Sequence, residues 1–344
     1  MDIEKKIGQL FCLGFQGDHI DANHPVVADI SRRNLGGVIL FDRLLAKKLN
    51  HNNITSASQL KTLTATLQGF ANTPLFIGVD QEGGKVRRLK PEHGFPATAS
   101  AAELGQKNDR ALTATHALTT ATTLQTMGIN FNFAPVIDLN VFPENPVIGK
   151  LDRSFSASPA IACMHASEWI KAHNELGVLS CLKHFPGHGS SRTDSHLGFT
   201  DITESWLELE LQPYRELIAT GLVDAIMTGH LFHKELDPIH PATLSARIIG
   251  KLLRQELQFN GLVISDDLQM KAITTRYGLE EAVCLALAAG VDLLIIGNNL
   301  DYDPEALTRI IPVIIQAIES GRLSEQRINE AWTRVQKLKQ KILS

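Results

Sequence analysis

Few cysteines, little net charge and no long apolar run mark this sequence, and each shortage removes a class of protein. The four cysteines, Cys12, Cys163, Cys181 and Cys284, stand far apart, each inside an apolar stretch. That pattern reads as buried, reduced thiol and not as a disulfide framework or a zinc site. A formal net charge of −4 leaves no basic footprint, so nucleic acid is not the expected partner. No apolar stretch reaches the length of a bilayer span. Residues 1–6 lack the basic-then-apolar form of a secretory signal, so a cytoplasmic protein away from the membrane is expected. Walker and dinucleotide-loop spacings are missing, which makes Gly83-Gly84-Lys85 only a weak phosphate signal. His184 and His188 are separated by Phe185-Pro186-Gly187, so they cannot form the one-face helical pair of H-E-x-x-H. No metal and no cofactor are expected.

No Pro-rich or Ser-rich linker divides the 344 residues. The polar connections 50–55 and 143–158 read as loops. What the chain does contain is a regular recurrence of short apolar runs, at 9–15, 37–41, 74–79, 129–136, 177–182, 223–228, 261–265 and 291–296. Near-continuous apolar runs fit parallel strands buried on both faces. Amphipathic segments of helix length separate them, among them 56–71, 99–127, 160–176, 203–220 and 279–289. Strands alternating with helices in this number predict a (β/α)8 TIM barrel, with a doubly wound open sheet as the alternative. One catalytic domain over 1–344 is expected. Segments 304–320 and 324–343 read as C-terminal packing helices; Ser324 is the N-cap of the second, and Ile328, Ala331, Trp332, Val335, Leu338 and Ile342 recur at helical spacing.

Six of the eight runs are followed at once by polar residues: Asp80 to Glu82, Asp138, Lys183 with His184, His230, Asp266 with Asp267, and Asn298 with Asn299. In a barrel these positions share the C-terminal rim, where such folds do their chemistry. The densest stretch is 183–196, with Lys183, His184, His188, Arg192, Asp194 and His196 hung from a strand end. Pro186, Gly187 and Gly189 stop regular structure there. A polyhydroxylated or charged small molecule is the expected ligand.

Glycoside transfer needs a carboxylate on one face of the sugar and a proton donor on the other. Asp266 at a strand end suits the first role, although it could instead cap a following helix. Asp194 beside His196 suits the second, because a carboxylate fixes an imidazole tautomer and makes it more basic. A solvated turn is the plain alternative for that pair.

These stretches resemble a known family. Lys183-His184-Phe185-Pro186-Gly187-His188-Gly189, Asp194-Ser195-His196 and Ser265-Asp266-Asp267-Leu268-Gln269-Met270 are similar to the β-N-acetylhexosaminidases of glycoside hydrolase family 3, as are 80–84 and 152–155. The resemblance runs from about residue 5 to residue 340. It implies retaining removal of terminal, non-reducing β-N-acetylglucosamine, with Asp266 as nucleophile and His196, tuned by Asp194, as acid/base. It also implies sugar binding by Asp80, Arg88, Arg153, Lys183 and His184, with Asp80 accepting hydrogen bonds and the others donating. Short members of the family resemble cytoplasmic enzymes that act on 1,6-anhydro-muropeptides in bacterial peptidoglycan recycling. A monomer with a muropeptide substrate is therefore expected. Ser190-Ser191-Arg192 departs from a more acidic segment in relatives, and Lys85 stands where arginine is frequent. Both leave the leaving-group preference open. A phosphorylase using the same residues, or a sugar-binding barrel without activity, remains as an alternative.

Overall fold

The computed structural model describes residues 1–195 and 198–342. Ten strands follow in chain order: β1 (Phe11–Gly14), β2 (Gly37–Leu40), β3 (Phe76–Val79), β4 (Phe131–Asn132), β5 (Leu179–Phe185), β6 (Thr200–Asp201), β7 (Ala225–Thr228), β8 (Leu231–Phe232), β9 (Leu262–Asp267) and β10 (Leu293–Ile296). Eight of them close into a parallel barrel in the order β1, β2, β3, β4, β5, β7, β9, β10. Each of the eight apolar runs supplies one barrel strand, and the open-sheet alternative falls with the closure. The strands are buried on both faces because helices cover the outside and side chains fill the inside. The remaining pair, β6 and β8, forms a separate two-stranded parallel sheet beside the barrel. Two residues per strand are too few to leave a periodic signal in sequence.

Helices Ala57–Gly69, Pro159–Glu175 and Leu279–Ala289 stand where the pattern puts them. Two expected helices differ. Segment 99–127 breaks into Ala101–Lys107 and Arg110–Thr126, because Asn108 turns left-handed at φ 47° and the Asp109 side chain caps a new start on Leu112. Segment 203–220 shortens to Gln212–Ala219, with Pro213 in its first turn. Inside the barrel the fit is close. A β-carbon on Gly78 of β3 would stand 2.6 Å from the Phe133 ring, so only glycine lets that ring fill the interior.

The N-terminal ends of the strands are closed by charge. Asp292, fully buried just before β10, accepts from Arg254 at 2.6 Å, Arg327 at 2.6 Å and Arg334 at 3.2 Å, and from the Val263 amide at 3.0 Å. Arg327 and Arg334 lie on the last helix, Glu325–Lys341, so this carboxylate ties that helix under the barrel. Removing one partner of a buried ion cluster strands the others without solvent. Asp292→Ala is therefore expected to lower the unfolding free energy by about 3–5 kcal/mol in urea titration, while the folded fraction keeps its active-site geometry.

Candidate active site

Two barrel strands carry an extra residue at their C-terminal ends. From Leu182 to Phe185, β5 takes three steps while β7 takes two, from Ile226 to Thr228. From Ile264 to Asp267, β9 takes three steps while β10 takes two, from Leu293 to Ile295. Such bulges re-aim side chains. Strict alternation would turn one of each neighbouring pair away from the barrel mouth. With the bulges, Lys183 and His184 both line one cavity of about 470 Å³, and so do Asp266 and Asp267. Asp80, Arg88 and Arg153 line the same cavity.

These residues are held by one another in an alternating ladder of charge. Arg88 donates to Asp80 at 3.2 Å, and the Lys183 ammonium reaches Asp80 at 2.8 Å and Glu82 at 2.7 Å. Arg153 forks onto both oxygens of Glu82 at 2.8 Å and 2.8 Å. Arg153 also approaches His184 Nε2 at 3.3 Å, and His184 Nδ1 meets Asp138 at 2.7 Å. A guanidinium has no acceptor, so His184 Nε2 accepts from it and Nδ1 carries the proton toward Asp138. Asp138 also takes the backbone N–H groups of His184 at 3.1 Å and His188 at 2.8 Å.

Burial alone would push these carboxyls up, but their partners win. Arg153 and Lys183 bring Glu82 down to about 2. Burial at Asp80 is outweighed by Lys183 and Arg88, and at Asp138 by His184, so both also stay below the usual carboxylate range. Lys183, only 2 % exposed, is opposed by its own burial, yet Asp80 and Glu82 hold its ammonium above its ordinary value. The three carboxylates and three cations of this ladder balance, and Asp266 lines the same cavity.

The two adjacent aspartates are thereby distinguished. One Asp267 oxygen accepts from the Gln269 amide at 3.0 Å and the Gly297 amide at 2.9 Å, and the chain packs so closely that a β-carbon on Gly297 would come 2.3 Å from the other. Asp267 thus shapes the turn after β9. Asp266 accepts the Asp267 amide at 2.8 Å and faces the cavity; the helix that follows at Lys271–Thr274 has no side-chain cap. The rim residues divide in the same way. His230 bonds Thr243 at 2.8 Å and the Asp267 carbonyl at 2.9 Å. Asn298 bonds the Gly14 carbonyl at 3.0 Å, and Asn299 accepts from the Leu45 amide at 3.0 Å. These residues brace loops.

The stretch after β5, where Pro186, Gly187 and Gly189 interrupt regular structure, is pinned: Phe185 is buried in the strand, and Asn145 donates to the His188 and Gly189 carbonyls at 2.7 Å and 3.1 Å. A β-carbon on Gly189 would stand 1.9 Å from the Leu139 carbonyl oxygen. Further on, Ser195 lines the cavity, faces His188 Nε2 at 3.3 Å, and offers its carbonyl to the Ala272 amide at 3.2 Å. The loop is thus drawn toward the segment that follows Asp266. Asp194 is half-buried next to it. His196 lies outside the described residues. Among the described residues no three His, Cys, Asp or Glu side chains are grouped to hold a metal ion. At the Gly83-Gly84 turn the amides are taken by the Val86 and Thr98 carbonyls, and Lys85 is tied to Asp152 at 2.7 Å. That turn presents no cradle to a phosphate.

The Glycosyl hydrolase family 3 N terminal domain profile matches residues 2–338. The chain belongs to glycosyl hydrolase family 3. Within the family it is 38% identical over 292 residues to a Beta-hexosaminidase of Tolumonas auensis, covering 83% of this chain and 82% of that protein. It is 33% identical to Beta-hexosaminidase A of Pseudoalteromonas piscicida over 91% of this chain, but spans only 54% of that relative. Among solved structures, a family 3 beta-N-acetylglucosaminidase from Paenibacillus sp. superposes with a TM-score of 0.90 at 36% identity, covering 100% of this chain and 63% of that one. LpqI of M tuberculosis superposes at 0.84 with 30% identity, over 98% of this chain and 94% of that one. Family membership makes this chain a glycoside hydrolase, the enzyme class expected from its motifs.

Sequence reasoning placed Glu82 and Asp138 on the rim without giving either a role. Their only signal was position, just after the third and fourth apolar runs. Glu82 has a measurable signature. Its folded pKa lies below the ordinary 4.5, so its contribution to stability is present above that pH and is lost as the pH falls toward about 2. Glu82→Gln should lower the unfolding free energy by about 3–5 kcal/mol near neutral pH. The gap to wild type should close as urea titrations move from pH 4.5 toward 2.

Proposed function

We propose that this barrel is a retaining exo-β-N-acetylglucosaminidase. Its substrate would carry a terminal, non-reducing β-linked N-acetylglucosamine, and its natural source would be 1,6-anhydro-muropeptides released in peptidoglycan recycling. The observation that carries the reading is the cavity itself. It joins Asp266 on one wall to the charge-balanced ladder of Asp80, Arg88, Lys183, Arg153 and His184 on the other, with Ser195 of the Asp194–His196 stretch at its edge. The relatives named Beta-hexosaminidase and beta-N-acetylglucosaminidase support the same substrate class.

In this reading the ladder grips the sugar hydroxyls, with Asp80 accepting and the cations donating. Asp266 then stabilises the cationic transition state and attacks that carbon, forming a glycosyl-enzyme ester. His196, held by Asp194, gives its proton to the glycosidic oxygen as the aglycone leaves. It next takes a proton from water, which attacks the same carbon and frees Asp266. The barrel over 1–344, with its C-terminal packing helices, would form one catalytic domain. It would work as a monomer in the cytoplasm, where recycled fragments are processed. No helix of the described residues is long and apolar enough to cross a membrane, which is compatible with that setting.

Asp266→Asn is expected to abolish turnover of an aryl β-N-acetylglucosaminide. His196→Ala should lose about 10²–10⁴-fold with poor leaving groups, which need protonation, and far less with activated ones. On 1,6-anhydro-muropeptides, NMR should show the β-anomer of free N-acetylglucosamine as first product. Wild-type turnover in Asp266→Asn, or α-anomer first, would overturn the reading. Sugar 1-phosphate formed in phosphate buffer would replace hydrolysis by phosphorolysis.

A further inference from the structure

Glu210 is a buried carboxylate that no step of the mechanism uses. It sits at 1 % exposure in the turn before helix Gln212–Ala219, behind the loop that leaves β5. One of its oxygens accepts the Gly189 amide at 2.8 Å and the Ser190 amide at 3.3 Å. The other accepts the Leu207 amide at 3.4 Å. The approach is tight. Gly187 runs at φ 124°, and a β-carbon there would stand 2.6 Å from the Glu210 β-carbon. Trp206 adds a bond from its indole N–H to the Pro186 carbonyl at 3.2 Å.

The charge that acts most on Glu210 is that of another carboxylate, Asp138. Burial pushes its carboxyl up to about 7, nearby Asp138 pushes the same way, and only hydrogen bonds oppose them. The Tyr214 hydroxyl, on the following helix, feels the same charge. A folded value above the ordinary 4.5 means that ionisation works against stability as the pH rises from there toward about 7. A glutamine would fill the space without that penalty and still offer the amides an acceptor oxygen. The carboxylate is thus poorly explained by stability, while its strongest bonds go to two consecutive amides at the base of the 189–195 stretch.

We propose that Glu210 is a positioning residue: by clamping the Gly189 and Ser190 amides it fixes the base of the stretch in which Asp194 and His196 follow. This rests on the reading of that pair as the acid/base. Glu210 touches no substrate; it acts through the loop. Asp138 and Asn145 hold the same loop from the barrel side, through His188 and Gly189. Glu210 holds it from the opposite side, so the stretch is gripped between two carboxylates.

The test compares Glu210→Leu, Glu210→Gln, His196→Ala and wild type on aryl β-N-acetylglucosaminides whose phenols span a wide range of acidity. The readout is kcat/KM, which reports bond cleavage up to the first irreversible step. Loss of positioning should mimic loss of the acid. Glu210→Leu should fall on the order of ten- to hundred-fold with the poorest leaving group and stay near wild type with the most activated one. Glu210→Gln, which keeps an acceptor oxygen for the amides, should retain more activity than Glu210→Leu. The urea midpoint of Glu210→Gln should equal or exceed that of wild type at pH 8, while that of Glu210→Leu should fall, because the Gly189 and Ser190 amides lose their acceptor. A flat, wild-type-like series in both variants overturns the proposal, and so does a uniform loss across all leaving groups. If Glu210→Leu fails to fold, Glu210→Gln alone decides, by the presence or absence of leaving-group dependence. The series for His196→Ala separates the two claims: if it is itself independent of leaving group, the acid/base reading fails and the positioning role falls with it.

Discussion

The mouth of this barrel depends on an ammonium that has almost no water. Lys183 is 2 % exposed, a state that an isolated lysine cannot keep while charged. It stays charged because Asp80 and Glu82 meet it at 2.8 Å and 2.7 Å. Those carboxylates are in turn held by Arg88 and Arg153. Each member is affordable only with its neighbours in place, so the ladder forms whole. It joins the end of β3 to the end of β5 and, through His184 and Asp138, to the segment after β4. A rigid, charge-balanced wall results, lining the same cavity as Asp266.

The opposite end of the barrel uses the same physics for another purpose. Asp292 gathers three arginines from two helical segments beneath β9 and β10. Nothing there faces the cavity. One buried cluster fastens the last helix; the other shapes a surface for a ligand. The difference lies in which strand end holds the charge, in line with the general division of such barrels into a stabilising floor and a reactive rim.

Between them, the loop after β5 is less free than its glycines suggest. Gly187 and Gly189 are required by close approach, to Glu210 on one side and to the Leu139 carbonyl on the other. Their lack of a side chain lets the backbone be gripped. Hydrogen bonds from its backbone N–H groups to Asp138 and Glu210 make the first half of the loop part of the scaffold, and Ser195 ties the later part to Ala272.

Much of this was legible in the sequence. Eight apolar runs separated by helix-length segments determine doubly buried parallel strands alternating with helices, and the tertiary structure decided that they close into a barrel and do not form an open sheet. The polar residues after six of the runs marked the rim, and the motif residues around Asp266 and 183–196 pointed to sugar chemistry. The helix break at Asn108-Asp109 and the late start at Pro213 had local signals too, in turn and first-turn residue types. The sequence could not tell which rim residues would meet. Glu82, Asp138 and Glu210 act through partners 101, 46 and 21 positions away, at Lys183, His184 and Gly189. Nor could strict alternation foresee that Lys183 and His184 both face the cavity. One extra residue in β5, and another in β9, decides that, and a bulge is defined only by the neighbouring strand against which it is counted. Composition and periodicity are local and survive in the chain; register and charge pairing exist only once the strands lie side by side.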